Sequence, residues 1–146
     1  MARSQFKFLY LLLLFATVLA FEAHAEQKVT KGDWDIHYIA FPSSFLDADV
    51  ANSYGLQRSR YMAVINISVL DNTKDDKAQN VYVTGTAKNQ LGQTKRLEFK
   101  KVKEEQAIYY LSQLKHIDRE VYTIQVRVQR GDREETIKFT KKFYVE

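Results

Sequence analysis

The chain has no cysteine, a single proline and only five glycines among its 146 residues. The lack of cysteine excludes disulfides, cysteine-ligated metal sites and lipid attachment to a cysteine. The few prolines and glycines leave no linker and no low-complexity stretch, so nothing in the composition predicts a second domain in the mature chain. The fold must depend on side-chain packing, for which a domain of about 120 residues is large enough.

The one long apolar run lies at the N-terminus. A short basic start precedes the run at residues 8–21, and a small-x-small tripeptide ends at Ala25. The run is too short for a membrane span, which needs roughly 20 apolar residues. We expect residues 1–25 to be a cleaved signal peptide, with cleavage between Ala25 and Glu26. Residues 26–146 would then be one periplasmic domain without stable membrane insertion, the alternative being an uncleaved anchor.

Motifs of catalysis are scarce. No Gly-x-Ser-x-Gly, His-Glu-x-x-His, Walker or paired-cysteine pattern occurs, so we predict no catalytic residue, no metal and no cofactor. His37 and Asp35 share one side of a strand, and an enzyme using this pair is the weakest hypothesis, because two groups leave most metal sites short of ligands. The chain carries 22 basic and 18 acidic residues. This mixed surface, together with export, argues against a nucleic-acid partner.

A hydrophobic period of two dominates the mature chain and predicts β-strands with one buried face. The predicted strands cover residues 33–41, 61–69, 81–87, 94–102, 106–111, 122–129 and 137–145. Seven strands separated by turns predict an all-β, immunoglobulin-like antiparallel β-sandwich. Between the first two strands, Ser44 as N-cap and Gly55 at the C-terminal turn predict one short helix of about three turns.

A local pattern around Tyr122 resembles the tyrosine corner of immunoglobulin-like domains. Asp118 stands four residues before Tyr122, which opens a strand. The resemblance implies that the Tyr122 hydroxyl bonds back to the backbone at the strand entry. The alternative is an ordinary buried tyrosine.

Aromatic residues are concentrated in the first predicted strand. We select Trp34, His37, Ile39 and Phe41 as a candidate interaction face, because aromatic clusters beside polar groups suit recognition. Large aromatics also dominate sandwich interiors, so these residues are candidates for the core first and for a recognition surface second. Ile39 and Phe41 alternate onto the side opposite Trp34, which means that the strand is covered on both sides or offers one side to a partner.

A second candidate site lies at the predicted helix start. Backbone N–H groups near Ser43 and Ser44 would attract an anion, and Arg58 and Arg60 would clamp a carboxylate or phosphate if they lie nearby. The sequence thus predicts a non-catalytic module that binds an envelope protein, with a small-ligand or anion-binding protein as the alternative.

Three segments resemble a known family. They are GDWDIHY at residues 32–38, FPSSFL at residues 41–46, and RSRY at residues 58–61 followed by the strand at residues 64–70. Together they resemble an uncharacterised family of small exported proteins of Gram-negative bacteria, the domain of unknown function 4426. The resemblance implies a periplasmic β-rich domain with no established activity and no functional residues to transfer.

Overall fold

The computed structural model describes residues 26–145, which form two antiparallel sheets packed face to face. The strands are β1 (Gln27–Lys31), β2 (Trp34–Pro42), β3 (Met62–Asp71), β4 (Lys77–Ala78), β5 (Tyr82–Asn89), β6 (Thr94–Leu97), β7 (Lys100–Glu104), β8 (Ala107–Lys115), β9 (Glu120–Arg130) and β10 (Arg133–Phe143). The large sheet has the order β1-β2-β3-β8-β7, with β4 beside β3, and the small sheet has the order β10-β9-β5-β6. The predicted sandwich is confirmed, although it has more strands than the seven expected.

The core lies between the two sheets. Ile65 and Ile67 of β3 and Ile124 and Val126 of β9 are fully buried, as their alternation predicts. The two residues named in each strand are two positions apart, so one face of each strand is apolar and removed from water. The strand periodicity therefore identifies the inner face of both sheets.

Part of the large sheet is also covered on its outer face. Val64, Val102 and Leu111 form a second buried apolar cluster there. A segment containing a 3-10 turn, Ser43–Phe45, and a short helix α1, Ala48–Ser53, supplies Leu46, Tyr54 and Leu56 to this cluster. Phe41 packs against the same cluster.

The predicted helix start at Ser44 is wrong. Helix α1 begins after Asp47, whose carboxylate accepts the backbone N–H of Asp49 at 2.8 Å. The residue before Ser44, Ser43, bonds to Ser59. Its hydroxyl donates to the Ser59 carbonyl at 3.0 Å and accepts the Ser59 N–H at 2.9 Å. The predicted C-terminal turn is in place, since Gly55 has a φ of +66°, a conformation that favours glycine.

The prediction of one strand over residues 94–102 is also wrong. The chain leaves the small sheet after Leu97 and enters the large sheet at Lys100, so β6 and β7 belong to different sheets. Phe99 lies at this crossover and packs against the main core. Across residues 26–145, no helix is long and apolar enough to cross a membrane.

Arg133 joins the two sheets at one edge. Its guanidinium lies 3.8 Å from the centre of the Trp34 ring and donates to the Lys31 carbonyl at 2.8 Å. It also bonds to the Asp33 carboxylate. The start of β10 is thereby fixed to the β1–β2 turn, and a cation–π contact adds to the ion pair.

Candidate functional site

The four residues of the predicted interaction face do not share a face. Trp34 is 3% exposed and belongs to the core between the sheets. His37, Ile39 and Phe41 alternate onto the outer side of β2, where all three are half-buried. Phe41 lies against the apolar cluster covered by the α1 segment, so His37 and Ile39 are the members left beside solvent on that side.

His37 and Asp35 do not form a catalytic pair in this structure. The Asp35 carboxylate accepts the Thr30 hydroxyl at 2.7 Å and the Asn72 amide at 3.2 Å, and Lys28 lies 3.4 Å away. These hydrogen bonds, that from Thr30 first, lower the pKa of Asp35. His37 has Glu26 as its acidic neighbour, with Nδ1 3.9 Å from a carboxylate oxygen.

The structure brings together only part of the predicted anion site. The Arg58 guanidinium reaches the Ser44 carbonyl at 3.3 Å, whereas Arg60 makes no hydrogen bond or ion pair within residues 26–145. Ser43 is fully buried and bonded to Ser59. Because the carboxylate of Asp47 occupies the start of α1, the open N–H groups on which the hypothesis depended are not near Ser44.

Tyr122 occupies the expected position but not the expected hydrogen bond. Its side chain is fully buried at the start of β9, and its hydroxyl has no partner among the described residues. Asp118 accepts the backbone N–H of Val145 at 2.9 Å, so this aspartate fixes the chain after β10. Burial, followed by the neighbouring Glu120 carboxylate, raises the pKa of Tyr122.

Replacing Tyr122 with phenylalanine tests the tyrosine-corner hypothesis. We expect Tyr122→Phe to leave the unfolding free energy unchanged or to raise it by up to about 1 kcal/mol, because it removes a buried hydroxyl without a partner. Tyr110→Phe is the control, since the Tyr110 hydroxyl accepts the Val81 N–H at 2.8 Å and its loss should cost about 1 kcal/mol or more. Urea denaturation measures the unfolding free energy of both variants. Equal losses of unfolding free energy would contradict the conclusion that the Tyr122 hydroxyl makes no stabilising hydrogen bond.

A groove lies beside the first half of β5. Strand β6 pairs with β5 over Gly85 to Lys88 only, so none of the described strands lies beside residues 82–84 on that side. The crossover at Glu98 and Phe99 forms the opposite wall. The groove holds about 560 Å³, within the range of about 300–1,000 Å³ typical of ligand sites.

Gly85 lets the crossover approach β5 closely. A Cβ atom at this position would lie 2.9 Å from the Gln125 carbonyl oxygen and 3.1 Å from Cε2 of Phe99. A side chain at residue 85 would therefore displace the Phe99 ring or the backbone of β9. The floor of the groove thus depends on a glycine inside a strand.

The rim of the groove is polar and carries two arginines. Thr84 and Thr86 project from the outer side of β5, opposite Arg127 and Gln125 of β9. Arg127 pairs with Glu134 at 3.2 Å, whereas Arg96 makes no hydrogen bond or ion pair with any part of the chain that the structure describes. Tyr82, at the end of the groove, is 68% exposed.

None of the residues selected from the sequence lines this groove. Gly85 inside an apolar alternation was a usable signal, because an isolated glycine in a strand often marks a bulge or a close backbone approach. The separation of β6 from β5, however, depends on where the chain changes sheets.

In residues 26–145 there is no group of three or more His, Cys, Asp or Glu side chains that could hold a metal ion. The fold and the groove define a small two-sheet β-sandwich with an open strand edge.

The chain belongs to the family described as "Domain of unknown function (DUF4426)", whose model matches residues 28–146. A crystal structure of a DUF4426 family protein from Pseudomonas aeruginosa PAO1 is 38% identical, with a TM-score of 0.74. The match covers 83% of this chain and 96% of that chain. The resemblance stated from the sequence is therefore confirmed.

Two structures of FetP from uropathogenic Escherichia coli share the fold at 11% identity. One, a copper-bound variant, has a TM-score of 0.59 and covers 84% of this chain and 92% of its own. The other, FetP as isolated after recombinant expression in the periplasm, has a TM-score of 0.60 and covers 86% of this chain and 98% of its own. The search of curated proteins found no match.

Proposed function

We propose that this protein is a non-catalytic periplasmic binding module that accepts an extended segment of an envelope protein in the groove beside β5. The observation that carries the proposal is the open edge of β5 at residues 82–84. An extended peptide can add to such an edge through main-chain hydrogen bonds, while adjacent pockets receive alternate side chains.

The chemistry of the groove suits such a segment. Leu97 and Phe99 supply apolar surface, and Thr84, Thr86 and Arg96 supply polar groups at the rim. The Arg96 guanidinium has no partner among residues 26–145, so it is available to a carboxylate of the bound segment. We therefore expect the segment to carry an apolar side chain and an acidic residue on the same face.

The proposed periplasmic location is inferred from the signal-peptide pattern at residues 1–25, which lies outside the described residues. The FetP structure obtained after expression in the periplasm is a further, weaker support, because that likeness concerns the fold.

Site-specific photo-cross-linking tests the proposal. A photoreactive amino acid at Thr84, inside the groove, should cross-link one envelope protein in living cells. The same amino acid at Thr140, exposed on the outer side of β10 in the same sheet, is the control and should not. Arg96→Glu should remove the cross-link without changing the melting temperature, because the exposed Arg96 side chain makes no hydrogen bond or ion pair within residues 26–145.

Cross-linking of equal strength from both positions, or none from Thr84, would contradict a peptide groove. If Thr84 gives no cross-link, small carboxylates can be tested as ligands. An increase in melting temperature on adding them that is absent in Arg96→Glu would favour a small anion as the ligand.

A further inference from the structure

One end of the sandwich is built from three loops that bond to one another. These are the turn after β5 at residues 90–93, the β8–β9 connection at residues 116–119, and the chain after β10. The Val121 N–H donates to the Gln90 side chain at 2.9 Å, and the Val145 N–H donates to Asp118 at 2.9 Å. This surface is termed the basic end.

Large apolar side chains are exposed on each of these loops. Leu91 is 80% exposed, Ile117 is 67% exposed and Tyr144 is 50% exposed. Tyr61 lies at the same end, because its carbonyl accepts the His116 N–H at 2.9 Å, and it is 52% exposed. Single exposed apolar residues are ordinary, but apolar tips on several adjacent loops mark an interaction surface.

Positive charges surround these apolar tips. The lysines and arginines placed here by strand register or loop position are Arg60, Lys88, Lys95, Lys115, Arg119, Lys141 and Lys142. The acidic residues in or beside the same loops are Asp118, Glu120 and, in the sequence after Val145, Glu146. Asp118 pairs with Arg119 at 3.9 Å and accepts the Val145 N–H, and Glu120 accepts the Ile117 N–H. The basic end therefore carries a net positive charge.

The opposite end is close to neutral. The acidic residues in or beside its turns are Asp33, Asp71, Asp75, Asp76, Glu104, Glu105 and Asp132, and the basic residues there are Lys31, Lys74, Lys77, Lys103, Arg130 and Arg133. Some of them pair within that end, as in Lys74–Asp71 and Arg133–Asp33. A negatively charged surface would therefore attract the basic end more strongly than the opposite end.

We propose that the basic end docks on an anionic phospholipid bilayer, with Leu91, Ile117 and Tyr144 entering the head-group region and the surrounding lysines and arginines contacting lipid phosphates. Binding to a membrane surface is stabilised by burial of apolar side chains and by attraction of basic residues to anionic lipids. Tyrosine is favoured at the membrane–water boundary. The groove at residues 82–84 lies at the other end of β5, so docking leaves it open. The inference does not depend on the proposed function.

Sedimentation with vesicles tests this proposal. The chain from residue 26 onward, which contains every described strand, should sediment with vesicles containing phosphatidylglycerol and not with vesicles of phosphatidylcholine alone. Replacing two basic residues, Lys115→Glu and Lys142→Glu, should weaken binding by at least about thirtyfold, given a contribution of about 1 kcal/mol from each basic residue near an anionic surface and the repulsion that each glutamate adds. Leu91→Ser with Ile117→Ser should weaken it by about tenfold.

Matched substitutions at the opposite end are the controls. Lys77→Glu with Lys103→Glu changes the net charge equally, and binding should persist. Equal loss from the two charge pairs would overturn the proposal in favour of non-specific attraction. No binding to phosphatidylglycerol vesicles would overturn it outright. Full binding by the Leu91→Ser, Ile117→Ser variant would overturn insertion of the apolar side chains and favour attachment to the bilayer by charge alone.

Discussion

Replacing Trp34 with alanine should lower the unfolding free energy by about 3–5 kcal/mol, the largest effect expected of any single substitution on β2. The indole is 3% exposed within the core between the sheets. Its loss leaves a cavity and removes the ring against which the Arg133 guanidinium stacks, so the link between β10 and the β1–β2 turn weakens as well. Urea or thermal denaturation measures the change.

Phe41→Ala on the same strand is the matched control. Phe41 lies on the opposite side of β2, against the cluster covered by the α1 segment, and stays half-buried. We expect a loss of about 1–2 kcal/mol, because less surface leaves contact with apolar neighbours. Similar losses for the two variants would contradict the assignment of Trp34 to the core and of Phe41 to the outer cover.

The inner faces of the strands were predictable from the sequence because alternation is a local property. Ile65 and Ile67 in β3, and Ile124 and Val126 in β9, are buried as predicted. Strand β1 was not predicted, because Val29 is the one apolar residue in a strand at the sheet edge, and an edge strand with one apolar contact leaves no clear period.

Features that depend on distant parts of the chain were not predictable. Leu97 and Phe99 continue an alternating pattern, yet the chain changes sheets between them. That change opens the groove beside β5, so the candidate site is a consequence of topology and not of a motif. Ser44 and Asp47 are both acceptable N-caps, and the bond between Ser43 and Ser59, sixteen residues apart in sequence, favours the later start. The basic end is likewise visible only once the loops are placed together.

Alkaline pH should destabilise the protein through two buried phenols. Burial is the first cause that raises the pKa of both Tyr110 and Tyr122 above the ordinary value of 10.0. The folded state therefore holds each phenol neutral, while the unfolded chain ionises near pH 10. Stability is complete below that pH and is lost as the pH rises above it, by about 1.4 kcal/mol per pH unit for each phenol until the folded-state pKa is reached.

The variants Tyr110→Phe and Tyr122→Phe separate this effect from general alkaline damage. Each should reduce the slope of unfolding free energy against pH, measured by urea denaturation from about pH 9 to pH 12. Tyr82→Phe is the control, because the Tyr82 side chain is 68% exposed; it should leave the slope unaltered. A slope that persists in the Tyr110→Phe, Tyr122→Phe double variant would show that other groups carry the alkaline transition. A slope lost only with Tyr122→Phe would assign it to the start of β9, where the unpartnered hydroxyl faces Glu120.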